Sequence, residues 1–200
     1  MKVLIPGNAM IDLGPYLDGS APLALEQPGV LDAAECAAMI ARSEAIGFAD
    51  APITTSRGFV MRPDIRNNTR VMFDDVALAA ALFDRIASVV PARLFGRHPC
   101  GVNERFRCYR YVPGQHFKPH YDGAFQRSPR ERSELTFMIY LNAQCTGGVT
   151  AFLDFAAVAV PEAGKALLFQ HTMLHEGATV ESGVKYVLRS DVMYADQAAR

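Results

Sequence analysis

His120 and Asp122 stand two residues apart. On a strand, alternate side chains point the same way, so the imidazole and the carboxylate are expected on one face. The best third ligand is His175, in Leu174-His175-Glu176-Gly177. Two imidazoles and one carboxylate form the facial set that suits non-haem iron(II). Three ligands on one face leave three positions open. A bidentate 2-oxo acid takes two of these and dioxygen the third; a fourth protein ligand would block that chemistry. An H-x-D pair alone is a weak signal, because it is also common where nothing binds. Of the other histidines nearby, His116 is expected at the surface or a pocket rim, and His171, at a strand end, as structural rather than as a ligand.

A second signal lies in the run 184–192. Val184, Tyr186, Leu188 and Val192 share one face, and Lys185, Val187, Arg189 and Asp191 share the other. If the apolar face packs on helices, Lys185 and Arg189 turn into the interior. A buried cation is costly unless paired, and a dicarboxylate cosubstrate would supply the partner. The other reading is an edge strand with solvated cations, and these residues alone leave both open.

The elements that would carry these groups are legible in outline. Asp32 is a good N-cap, and Glu35 completes a capping box. The helix that follows places Cys36, Met39, Ile40 and Ile46 near one face and stops at Gly47. Residues 52–70 read as a long loop or an irregular hairpin. Asp74 or Asp75 caps a second helix, with Val76, Ala79, Phe83, Ile86 and Val90 as its buried stripe and Pro91 as its stop. After Pro99 short alternating runs appear at 103–112, 134–142, 149–155, 165–170, 173–180 and 184–194, separated by turns such as Pro113-Gly114, Gly147-Gly148 and Ser182-Gly183. Helices first and strands after predict an α+β fold: a jelly roll with N-terminal helices on one face. The expected organisation is a single domain: an irregular lead-in over 1–30, a helical support region over 31–98 with a substrate-side loop or hairpin, and a β core over 99–200.

Composition sets wide bounds. The chain has 200 residues, 50% of them hydrophobic, and a formal net charge of −1. A sizeable core is affordable, and neither a nucleic-acid nor a membrane partner is indicated. The start, MKVLIPG, is too short in apolar residues for a secretory signal, which needs about 7–15. The four cysteines form no C-x-x-C pair and read as reduced thiols, which suits a cytoplasmic protein.

Four blocks then resemble one family. Tyr109-Arg110-Tyr111-Val112-Pro113-Gly114-Gln115-His116-Phe117-Lys118-Pro119-His120-Tyr121-Asp122 is similar to the Y-x-x-G-x-x-F-x-x-H-x-D segment of prolyl 4-hydroxylase-like iron(II)/2-oxoglutarate oxygenases. Leu141-Asn142 with Gly147 to Phe152, Pro161 to Phe169, and His175-Glu176-Gly177 through Gly183-Val184-Lys185 resemble three further blocks of that family, in order. The resemblance implies a double-stranded β-helix of the cupin-like kind, with the metal on His120, Asp122 and His175. It implies that Lys185 takes the far carboxylate of 2-oxoglutarate, with Tyr111 near the same group and Thr150 lining the pocket. Tyr109 joins this cosubstrate set. Arg189 shares the face of Lys185, so it could take the carboxylate itself or bind substrate. The implied reaction is hydroxylation of an unactivated C–H bond, coupled to decarboxylation of 2-oxoglutarate to succinate. Dioxygen is then a further cosubstrate and ascorbate the reductant. A prolyl or other side chain in a peptide, a free amino acid or another small molecule would be the prime substrate. The rival reading is a cupin-like metal-binding module without 2-oxoglutarate chemistry. A zinc hydrolase is disfavoured, since no H-E-x-x-H is present.

Two segments are expected to frame the site. Gly123–Ser133, with Gly, Pro and three arginines, reads as a lid over the metal. Residues 53–70 are too long for a plain connector and concentrate arginines, so Asn67, Asn68 and Arg70 are expected to meet the prime substrate, with Arg57, Arg62 or Arg66 as further candidates for a carboxylate. Oligomeric state is left open by the sequence.

Overall fold

The computed structural model describes residues 1–8, 15–55 and 58–196. Helix α1, Ala33–Ile46, begins as expected: the Asp32 carboxylate accepts from the Glu35 N–H at 2.8 Å, and the Glu35 carboxylate accepts from the Asp32 N–H at 2.9 Å. Such a cap contributes about 1 kcal/mol. Cys36, Met39 and Ser43 face inward, while Ile46, expected inward, is exposed in the last turn. Helix α2, Val76–Ile86, is capped by Asp75 and buries Ala79, Leu82 and Ile86. Two calls on it need correction. Val76 sits in the first turn and is 74% exposed, and Val90 lies beyond the helix end, although buried.

Both helices pack on the outer face of a large antiparallel sheet. Its strands run in the order Lys2–Ile5, Ala24–Gln27, Ala166–Gln170, Glu131–Tyr140, Lys185–Ala195, Arg105–Tyr111, Thr69–Asp74 and Ala49–Asp50. The core under the helices joins Met39, Leu82 and Ile86 to Phe106, Phe137 and Leu188. A small sheet, in the order Ala157–Ala159, Thr150–Phe152, His175–Gly177 and Phe117–His120, faces the other side. A second apolar cluster, with Tyr140, Phe152, Phe169 and Val187, fills the space inside the roll. This is the jelly roll with helices on one face that the alternating runs predict.

Two features depart from expectation. The lead-in 1–30 is not irregular throughout: Lys2–Ile5 and Ala24–Gln27 extend the large sheet, so strands from all three expected regions share one sheet. Thr69–Asp74, expected within a loop and a helix cap, is a six-residue strand paired with Arg105–Tyr111. In Lys185–Ala195 the alternation holds. Leu188 and Val192 enter the core beneath the helices, and Lys185 and Val187 face the inside of the roll.

Candidate metal and cosubstrate site

The small sheet sets His175 directly opposite His120 in register. Asp122 is not on that strand, which ends at His120; its N–H is held by the His171 carbonyl at 2.9 Å. The i, i+2 argument thus picks a residue that converges with both imidazoles, but a contact outside the strand aims it. His120 Nε2 lies 3.8 Å from Asp122 Oδ1, and His175 Nε2 lies 3.6 Å from Asp122 Oδ2. One ligand atom from each of the three falls within 4.8 Å of the others.

The rings are oriented for this. His120 Nδ1 contacts the Lys118 carbonyl at 2.8 Å, and His175 Nδ1 contacts the Met173 carbonyl at 2.9 Å. A carbonyl accepts only, so each Nδ1 carries the proton and each Nε2 presents a lone pair to the centre. Burial first, and the neighbouring His175 next, lower the pKa of His120 to about 3; burial also lowers that of His175. Both imidazoles are neutral at pH 7, as ligands must be. For Asp122 burial pushes upward, but Arg189 and the imidazoles outweigh it and hold the carboxyl below the usual range. Two neutral nitrogens and one carboxylate oxygen, converging with no fourth ligand in the group, fit iron(II) with open positions.

Behind the triad runs a hydrogen-bond chain that sequence reasoning missed. Thr136 Oγ1 donates to Asp122 Oδ2 at 2.6 Å. His171 Nδ1 lies 2.9 Å from the same Thr136 oxygen, and His171 Nε2 lies 2.8 Å from Ser133 Oγ. The Phe125 N–H donates to Ser133 Oγ at 2.8 Å. His171 is thus buried and structural, as expected, and it supports Asp122 through Thr136. Only the odd–even alternation of Glu131–Tyr140 could have pointed to Thr136.

Lys185 is 2% exposed, and its Nζ donates to the Gly148 carbonyl at 2.6 Å. It lies 4.6 Å above the Tyr111 ring. Among the described residues no carboxylate pairs with it, and burial pulls its pKa down to about 8. Gly148 sits at φ +65°, and a Cβ there would stand 3.1 Å from Lys185 Cδ. Arg189, the other cation on this face, is taken: it pairs with Asp122 Oδ1 at 3.0 Å. Thr150 bonds the Tyr140 hydroxyl at 2.8 Å, a partner the sequence did not single out. Tyr109, Tyr111, Thr150, Lys185 and Arg189 line one pocket with the triad.

The flanking segments bear on three expectations. Asn68 is fully buried and accepts from Arg66 Nε at 2.7 Å, and Asn67 accepts from the His116 N–H at 2.8 Å. Both side chains are engaged in hydrogen bonds within the chain. Arg62 pairs with Asp64, Arg70 and Arg66 adjoin the pocket wall, and Arg57 lies outside the described residues. Gly123–Ser133 is only in part a free loop. Gln126–Ser128 pairs with the start of Glu131–Tyr140, and Arg127 bridges Glu104 and Glu131. His116 lies at the rim as expected, half-buried.

Comparison with known proteins agrees with this geometry. Residues 106–190 match the family model of the 2OG-Fe(II) oxygenase superfamily. A human protein, prolyl 4-hydroxylase subunit alpha-3, is 35% identical over 100 residues, which are 42% of this chain and 18% of that protein. The chain thus spans under a fifth of that relative. Two solved structures share the fold. One is the viral collagen prolyl hydroxylase of Paramecium Bursaria Chlorella virus-1 in its 2OG complex, with TM-score 0.61, 22% identity, and 86% of this chain and 96% of that one covered. The other is a Trichoplax adhaerens prolyl hydroxylase in complex with a hypoxia inducible factor peptide fragment, with TM-score 0.62, 17% identity and coverage of 87% and 84%. The segment that matches the 2OG-Fe(II) oxygenase superfamily model, under half of the chain, holds every residue of the triad together with Lys185.

Proposed function

We propose that the chain hydroxylates an unactivated C–H bond, with a prolyl or other amino-acid side chain, in a peptide or a free amino acid, as the prime substrate. Iron(II) would sit on His120, Asp122 and His175, and the far carboxylate of 2-oxoglutarate on Lys185. The observation that carries this reading is the pairing of a neutral two-histidine, one-carboxylate set with a buried cation that, among the described residues, has no carboxylate partner in the same pocket. A metal-binding module without cosubstrate has no use for Lys185. When bound, iron(II) and 2-oxoglutarate supply the oxidising power, with carbon dioxide and succinate as the products of the cosubstrate. The chain's residues do the rest. The backbone carbonyls of Lys118 and Met173 fix both ring tautomers. Phe117 stacks on His120 and Phe169 packs edge-on against His175, keeping water from the rings. Tyr111 and Thr150 flank the cosubstrate end, with Tyr109 beyond them. Arg189 holds Asp122 and is secondary for cosubstrate.

Ascorbate fits as the reductant that keeps iron divalent. The likeness to the two prolyl hydroxylase structures supports a peptide substrate without fixing it. We read the 1–30, 31–98 and 99–200 regions as one folding unit. No described helix is long and apolar enough to cross a membrane. The four cysteines are unpaired, and a cytoplasmic setting fits their reduced state. The test is succinate release from 2-oxoglutarate with iron(II), ascorbate and a library of prolyl peptides and free amino acids. Metal binding without any 2-oxoglutarate turnover or affinity would favour the module instead.

A further inference from the structure

Four guanidinium groups gather around Tyr109, which lines one end of the pocket; Arg189 lines it too, and Arg66, Arg70 and Arg107 stand behind the lining. Arg66 stacks over the Tyr109 ring at 4.5 Å and over the Phe117 ring at 4.4 Å. Arg70 is the cross-strand partner of Tyr109, and Arg107 is the cross-strand partner of Arg189. Like charges directly opposite each other weaken a sheet, and buried cations need partners. The acids present are too few. Asp191 lies 3.7 Å from Arg107 and 3.6 Å from Arg189, and Asp122 is the metal carboxylate. Among the described residues no acid pairs with Arg66 or Arg70.

Three of these groups also hold unmet donors, Arg189 through its Nε. Arg66 is 4% exposed, and one of its terminal nitrogens is buried without a hydrogen-bond partner. One terminal nitrogen of Arg107 is in the same state. Complete burial pushes the Tyr109 phenol up, yet the field of Arg66, Arg189 and Arg107 more than reverses this and leaves it lower than usual. Burial lowers the pKa of Arg70, and Arg66 and Arg107 add to that effect.

Lys185 already serves the far carboxylate of 2-oxoglutarate in the reading above, which leaves the excess charge of this cluster for a second anion. Lys185 and Arg189 are four residues apart on one strand, so their rows are about 13 Å apart. Between them lies the row of Arg70, Tyr109 and Val187.

We propose that Arg70 and Arg107, backed by Arg66, bind a carboxylate of the prime substrate, so that the substrate is a free amino acid or a C-terminal residue whose own carboxylate anchors it beside the metal. This rests on the oxygenase reading above and names the substrate class within it. Two guanidinium forks suit a planar carboxylate. Metal capture by Asp122 would leave Asp191 as the one uncommitted acid in the cluster, which raises the demand for an anion.

The experiment titrates the cobalt(II) form, saturated with 2-oxoglutarate, with L-proline, N-acetyl-L-proline and acetate, each against its carboxamide, by calorimetry. The carboxylates are expected to bind about tenfold or more tighter than the amides, with the preference weakening as salt rises. Arg70→Gln and Arg107→Gln should each erase it. L-Proline ahead of its N-acetyl form identifies a free amino acid, and the reverse order a C-terminal residue; both support the site. Equal affinity for acid and amide, a preference that survives both substitutions, or no carboxylate binding at about 50 mM overturns it. So does a parallel loss of 2-oxoglutarate affinity in either variant, which would assign these charges to the cosubstrate. If wild-type protein fails to bind 2-oxoglutarate, the oxygenase reading falls by itself. The acid–amide comparison is then read on the unloaded protein by the same criteria.

Discussion

Replacing Lys185 by Met removes a charge while keeping most of the side-chain volume. In the protein without cosubstrate this charge has one polar partner, the Gly148 carbonyl, and the face of Tyr111. The fall of its pKa from 10.5 to about 8 through burial corresponds to about 3 kcal/mol against the charged form at neutral pH. Lys185→Met should therefore leave the unloaded protein as stable as wild type or up to about 3 kcal/mol more stable. The pH dependence has a definite sign. Below about 8 the lysine is charged in both folded and unfolded chains, and the full cost is present. Between about 8 and 10.5 the unfolded chain binds the extra proton, so wild-type stability rises with pH, and the variant lacks that rise. The cosubstrate reverses the balance. Loss of its charge partner should cost about 2–5 kcal/mol of 2-oxoglutarate affinity, roughly thirtyfold to several thousandfold. Urea unfolding of metal-free protein across this pH range, and anaerobic 2-oxoglutarate titration of the iron(II) form, read the two halves separately. A variant that unfolds several kcal/mol more easily yet binds 2-oxoglutarate normally would refute the reasoning, because Lys185 would then be a structural cation.

His120→Ala, Asp122→Ala and His175→Ala should each abolish metal-dependent succinate release with circular dichroism unchanged; full turnover in any one removes that residue from the set. Thr136→Val deletes the 2.6 Å donor to Asp122 at constant shape and should weaken iron(II) binding about 10- to 100-fold by competitive chelation, and unchanged affinity would make the contact incidental. Gly148→Ala forces a side chain onto a φ of +65° and against Lys185, so both the melting temperature and 2-oxoglutarate affinity should fall. Within Gly123–Ser133, the paired amides of Gln126–Ser128 should exchange more slowly than those of Gly123 and Ala124, with or without cosubstrate; uniform fast exchange would restore the lid expected from sequence.

The parts of the fold that were legible are those that local chemistry decides. The Asp32–Glu35 cap needs only four residues of sequence, and the faces of Lys185–Ala195 follow from a period of two. The triad was legible because His120 and His175 come from strands with recognisable flanks. What stayed hidden is tertiary. Thr136 and His171 meet Asp122 only because Glu131–Tyr140 and Ala166–Gln170 pair in the large sheet. Thr69–Asp74 was obscured because the face opposite Val71 and Phe73 carries Arg70 and the exposed Asp74, residues that read as loop or cap. Asn67 and Asn68 looked like free recognition groups, since sequence does not show which backbone amides a fold leaves for its own side chains to satisfy.

The chain from Phe125 to Asp122 permits one placement of protons. The Asp122 carboxylate only accepts, so Thr136 spends its hydroxyl hydrogen there and must accept from His171 Nδ1, and the Nε2 of the neutral ring accepts from the Ser133 hydroxyl. The Phe125 amide gives its hydrogen to Ser133. Every link has a single direction, and no mirror arrangement satisfies the same atoms. Arg189 holds the other carboxylate oxygen. A carboxylate that spins freely must surrender that rotation when an ion arrives, at about 0.5–1.5 kcal/mol for a side chain. Here the surrender occurs on folding, so the empty pocket already keeps its acidic corner in the pose the ion will meet.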